Sequence, residues 1–127
     1  LETRHIALSL GDDWTRVPDN GSELVSVDPI ARKEFAEEHP AAMLQFANDA
    51  LDSVNYVNGH PEDAAKRIES LDIVKAAIAE RAIPRCNLVS LTGEEMRTAL
   101  SGYLDALYTY DAGLVGGKLP EEDFYAV

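Results

Sequence analysis

The spacing of apolar residues changes character about a quarter of the way along the chain. Residues 4–17, RHIALSLGDDWTRV, alternate partly in the manner of strands on either side of a Gly-Asp-Asp turn. The next segment, Pro18-Asp19-Asn20-Gly21-Ser22, consists of turn-forming residues and reads as a linker. SELVSV, Ser22 to Val27, is a further short β-prone run. Asp28-Pro29 then allows two readings: a helix capped directly, or a strand continued to Ala31.

From Lys33 onward the period is helical. Lys33 to His39 predicts a short helix that Pro40 ends or restarts. Ala41 to Asn58 gives the strongest helical signal, with Leu44, Ala47, Leu51 and Val54 on one face and Met43, Ala50 and Val57 beside them. Asn58-Gly59 stops it, and Pro61 opens a helix that should turn Ala64, Ala65, Ile68 and Leu71 inward. Asp72 is expected to cap a further helix carrying Val74, Ala77 and Ile78. Pro84 should push Ile83 to an extended conformation, and Cys86 to Leu91 is β-prone. Thr92-Gly93-Glu94-Glu95 matches a capping box ahead of a helix that buries Met96, Leu100, Tyr103, Leu104 and Leu107. Phe124 and Tyr125 should hold the Gly-rich, then acidic tail.

Composition narrows the function. A chain of 127 residues is enough for one domain with a modest core. Lys and Arg number 11 against 23 Asp and Glu, a formal charge of −12, which repels phosphate backbones and disfavours nucleic-acid binding. The apolar runs are too short to span a membrane. Leu1 reads as the start of a processed or cut chain, with no secretion segment ahead of it.

The chemistry-bearing residues are sparse. Cys86 is the sole cysteine, which excludes an internal disulfide or a multi-thiolate zinc site. Arg85 adjoins it, but neighbours on a strand face opposite ways, so Cys86 reads as a small inward-facing structural thiol. His5, His39 and His60 have no metal-ligand spacing, and HPAAM and HPEDA read as His-Pro turns before helices. Asp12-Asp13 and Glu121-Glu122-Asp123 lack the acid ladder of a calcium loop. Val115-Gly116-Gly117-Lys118 fails as a phosphate loop, because Ala112 stands where a glycine is needed and Leu119 where Ser or Thr is needed. The residues give no positive sign of an enzyme, a metal or a cofactor.

Read in order, LGDDWTRV, SELV, RKEFAEEHPAAMLQF, YVNGHPEDAAKRIE, AIPRCNLVSLTGEEM, SGYLDALY and GGKLPEEDFY resemble the C-terminal part of bacterial ABC-transporter solute-binding proteins. The group is the one associated with nitrate, sulfonate, bicarbonate and thiamine-pyrimidine-precursor uptake. The resemblance implies an α/β, helix-rich fold, with about four or five helices packed on a small sheet, as part of a two-lobed periplasmic-binding-protein-like clamp. Residues 1–17 would be a strand region of the second lobe, 18–27 the hinge crossing, and 28–127 the helical C-terminal part of the first lobe. It further implies a non-catalytic, extracytoplasmic protein that binds a small solute and meets a membrane permease. Ligand contacts would gather at the hinge crossing, where Ser22, Ser26 and Asp28 are the polar candidates. With most of the clamp missing, open apolar faces and strand edges should drive self-association. The rival reading is a stand-alone acidic helical module that binds a protein partner.

Overall fold

Two His-Pro steps divide the middle of the chain. A proline lacks the N–H that a continuing helix needs, yet its fixed φ suits a first turn, so each step ends one helix and opens the next. In a computed structural model, which describes residues 10–14, 16 and 22–125, α1 (Leu10–Trp14) is followed by α2 (Lys33–Glu38) and α3 (Pro40–Gly59). Then come α4 (Pro61–Ser70), α5 (Ala76–Ala82) and α6 (Gly93–Tyr110), with 3-10 turns at Ile83–Arg85, Ala112–Val115 and Glu122–Phe124.

The two His-Pro corners are built alike. His39 (φ −130, ψ 53) and His60 (φ −135, ψ 56) adopt nearly the same backbone, and each donates its N–H to the carbonyl of the aromatic residue four positions earlier. Those aromatics, Phe35 and Tyr56, also meet the histidine rings, at centroid distances of 4.8 and 4.6 Å. The ring contact, tilted at Phe35–His39 and stacked at Tyr56–His60, lies at the end of each helix where the backbone ladder stops.

The expected sheet is not there. The described residues contain no strand, so the arrangement of helices on a small sheet gives way to an all-helical one. Leu10–Trp14 is helical where strands were expected over residues 4–17; residues 4–9, 15 and 17 lie outside the described ones, as does most of the 18–22 linker. Residues 22–32 run without regular structure up to α2, so neither a direct cap by Asp28 nor a paired strand forms. Short β-prone runs such as Ser22–Val27 need a neighbouring strand to satisfy their backbone, and no such strand lies among the described residues.

By its contacts the chain divides into two units, Leu1–Ile30 with Thr92–Val127, and Ala31–Leu91. The second is centred on the α4–α5 hairpin. Ala64, Ala65, Ala79 and Ile83 are buried together there, with Val57, Ile68 and Ala76 packed against them. Alanine at three of the four core positions lets the two backbones approach closely, and Ala65 retains only 1% of its exposure. Ile83 fills the remaining space, which explains why Pro84 fails to extend it. Ile83 stays helical (φ −46, ψ −51), because apolar burial worth roughly 1.5–3 kcal/mol outweighs the local preference before proline.

The turn into α5 differs from its expected form. Asp72 is not a cap; it lies in the left-handed region at φ 57, one residue past the C-cap of α4. Asp72 donates its N–H to the Glu69 carbonyl and Ile73 donates to that of Ile68, the paired bonds of a Schellman stop. This closure delays α5 to Ala76 and turns Ala76 and Ala79 inward in place of Val74, Ala77 and Ile78. Leu71, expected inside, is 70% exposed.

On α3 the inward stripe is Met43, Ala47, Ala50, Val54 and Val57, all half-buried, while Leu44 is 66% exposed and Phe46 and Leu51 are also exposed. The half-buried stripe thus lies toward Met43, Ala50 and Val57, and of the expected central face Leu44, Ala47, Leu51 and Val54 only Ala47 and Val54 are in it.

The first unit is built on α6. Ala99 and Leu100 are buried there, and Met96, Tyr103, Leu104 and Leu107 are half-buried on the expected face. The Trp14 ring lies 5.2 Å from that of Tyr103 and joins α1 to α6. Thr92 is the N-cap, as the capping box implies, but its side chain makes no cap hydrogen bond. Gly93, the first helical residue, takes φ 59, a conformation outside the ordinary helical entry.

Candidate functional site

The three polar residues singled out in the hinge segment meet different fates. Ser22 is buried, at 7% exposure, and its hydroxyl accepts from the Trp14 indole N–H at 3.0 Å. Its partner indole belongs to the Trp14–Tyr103 pair that joins α1 to α6. Ser26 and Asp28 are exposed on the extended run that follows. Partial desolvation of the Asp28 carboxyl raises its pKa, even though the residue as a whole stays open to solvent.

Cys86 is exposed, which corrects the inward-facing reading. It caps the 3-10 turn, donating its N–H to the Ile83 carbonyl at 3.1 Å, and Asn87 then takes φ 49 and redirects the chain. The β-prone run after it is used differently from a strand. Asn58, near the end of α3, donates through Nδ2 to the Leu88 carbonyl at 2.9 Å. This bond satisfies a backbone acceptor that a sheet would otherwise have taken.

The densest polar group is one the sequence reading did not assemble. The Tyr56 hydroxyl donates to the Asp63 carboxylate, and Arg67 Nε donates to the same carboxylate at 3.0 Å. The Arg67 guanidinium also lies 5.6 Å from the centre of the Tyr56 ring, within cation–π range, and the His60 ring stacks on Tyr56 at 21°. The Tyr56 hydrogen bond first, and then that from Arg67, hold the Asp63 carboxyl below its ordinary range. One residue earlier Glu62 pairs with Lys66 at 2.7 Å, which lowers the pKa of the acid and raises that of the lysine. These groups are largely open to solvent, so they align α4 with the end of α3 and contribute little to stability. The signal for this cluster was present in the sequence: an aromatic residue four positions before a His-Pro step, then Asp and Arg at helical spacing.

At the C-terminal end, Gly116 and Gly117 take φ 77 and 88 and stop a 3-10 turn, donating their N–H groups to the Gly113 and Ala112 carbonyls. The Val115–Lys118 run thus serves as a turn. Arg97 on α6 pairs with both Glu94 and Glu122, tying the tail back to the helix. Burial, assisted by Glu122 and opposed by Arg97, raises the Tyr125 pKa. Tyr125 is half-buried and Phe124 exposed, with their rings edge to face at 5.3 Å.

Among the described residues no group of three or more His, Cys, Asp or Glu side chains converges as metal ligands would, and no helix is long and apolar enough to cross a membrane. What the arrangement offers is exposed apolar surface beside carboxylates, a chemistry of contact. Comparison with known proteins finds no match among family models, curated proteins or solved structures, so the likeness to solute-binding proteins rests on the sequence segments alone.

Proposed function

We propose that the chain is the C-terminal portion of an ABC-transporter substrate-binding protein, a non-catalytic, extracytoplasmic receptor that captures a small solute for uptake through a membrane permease. The observation that carries this reading is α3. Its apolar stripe is wide enough for a core, yet Leu44, Phe46 and Leu51 remain exposed along it. A helix patterned in this way belongs against further protein. The ordered run of motif segments supports the identity of that protein, and the −12 charge accords with a partner other than nucleic acid.

The first test is the coding sequence upstream of Leu1. A leader followed by a solute-binding region supports the proposal, and a start codon close to Leu1 opposes it. The second is thermal denaturation of the full gene product with nitrate, sulfonates, bicarbonate or a pyrimidine precursor. A solute-dependent rise in Tm of several degrees, paired with loss of uptake in cells lacking the gene, is the expected result. No rise with any of them, and uptake intact, overturns it.

The open apolar faces also favour a second reading, an acidic helical module that binds a protein partner or a second copy of itself. A module of this kind would show partner-dependent or concentration-dependent association with no response to small solutes. Sedimentation of the chain over a wide concentration range separates a self-associating chain from a monomer.

A further inference from the structure

The α4–α5 corner combines three features. First, it is concave: Glu69, Asp72, Ile73, Val74, Lys75 and Ile78 line a shallow, open hollow of about 270 Å³. Second, its apolar lining faces solvent, with Ile73 69% exposed and Ile78 51% exposed. Third, the charge beside it is negative. Glu69 is already engaged by Lys75 at 3.2 Å, whereas the Asp72 carboxylate makes no ion pair among the described residues. Asp72 also stands at the C-terminal end of α4, where the helix dipole adds negative potential to its own charge.

A carboxylate at the negative end of a helix is electrostatically misplaced unless a cation meets it. An open apolar floor next to it calls for an aliphatic body. Lysine and arginine side chains supply both, laying a methylene stem on apolar surface while the head reaches a charge. We propose that this corner docks a basic segment of a partner protein, with an arginine or lysine stem over Ile73, Val74 and Ile78 and its cation at Asp72. The Schellman stop serves the site by holding Asp72 and Ile73 outward on a fixed backbone. The inference is independent of the solute-binding reading, since either kind of protein can present such a corner.

The experiment uses the full 127-residue chain, isotopically labelled, at low salt. Two probe peptides are titrated, Gly-Ser-Arg-Leu-Arg-Ser-Gly and the same peptide with glutamine at both arginine positions. The arginine peptide is expected to give saturable amide shifts confined to residues 68–78, and the glutamine peptide to give none. Asp72→Asn keeps a residue that tolerates the left-handed backbone and should weaken binding about fivefold, as loss of one charge-assisted contact does. Ile73→Ser should weaken it by a similar factor without altering the charge. The proposal is overturned if the two peptides behave alike, if the shifts spread over the acidic surface, or if Asp72→Asn binds unchanged. It is equally overturned if the same amides shift with protein concentration alone, since a second copy would then fill the corner.

Discussion

The α4–α5 hairpin and α3 belong to one unit, yet they bury their apolar residues to opposite degrees. In the hairpin the inward residues are small, the backbones are close, and Ala65 is sealed from solvent. Along α3 the large side chains Leu44, Phe46 and Leu51 stay open, and the half-buried stripe beside them is mostly alanine and valine. The contrast shows that residue size alone does not locate a core. Burial follows from what an element can approach, and alanine faces approach best.

The contrast can be broken most directly at Ile83. Ile83→Ala should cost about 3 kcal/mol, read from urea denaturation, because it empties the centre of the hairpin core. Ala65→Leu should cost about 2 kcal/mol by forcing α4 and α5 apart, a penalty of overpacking. In the other unit, Ser22→Ala leaves the Trp14 indole N–H without its acceptor and should cost about 1 kcal/mol. Trp14 is the chain's single tryptophan, so its emission reports that change directly. Leu44→Ser should change stability by less than about 0.5 kcal/mol if the α3 face is open in solution. A loss comparable to that of Ile83→Ala would mean that the face is covered, and the distinction between the two regions would fail.

The smallest effect concerns Asp63. Its pKa is depressed in the folded chain, so its contribution is complete above the unfolded value and fades as pH falls below about 4. Tyr56→Phe removes the largest cause of that depression. The difference between urea midpoints at pH 7 and pH 3 should therefore be smaller in this variant than in the parent chain.

Helix positions were largely legible because they rest on local signals. Pro40 and Pro61 mark two starts, Gly59 marks a stop, and the face of α6 follows from simple spacing. The sheet was misread because β-prone runs at Ser22–Val27 and 86–91 carry a preference that only a partner strand can realise. The start of α5 was missed because Asp72 serves equally well as a cap or as a left-handed stop, and the choice depends on bonds back to Ile68 and Glu69. Of the hinge candidates, Ser22 is expected as a ligand contact, whereas the bond it makes is to the Trp14 indole, a partner that lies across a segment whose course the sequence does not reveal. The Tyr56–Asp63–Arg67 group spans two helices, so each half reads as an ordinary surface residue until the corner brings them together.

The paired corners at His39 and His60 have a use beyond this chain. Their backbones agree to within a few degrees although the intervening residues differ, Ala-Glu-Glu in one and Val-Asn-Gly in the other. The recipe is thus only an aromatic, three free positions, histidine and proline. Such a joint is portable: a designer could graft six residues to bend a helical rod at a chosen place, leaving the middle three open to other purposes.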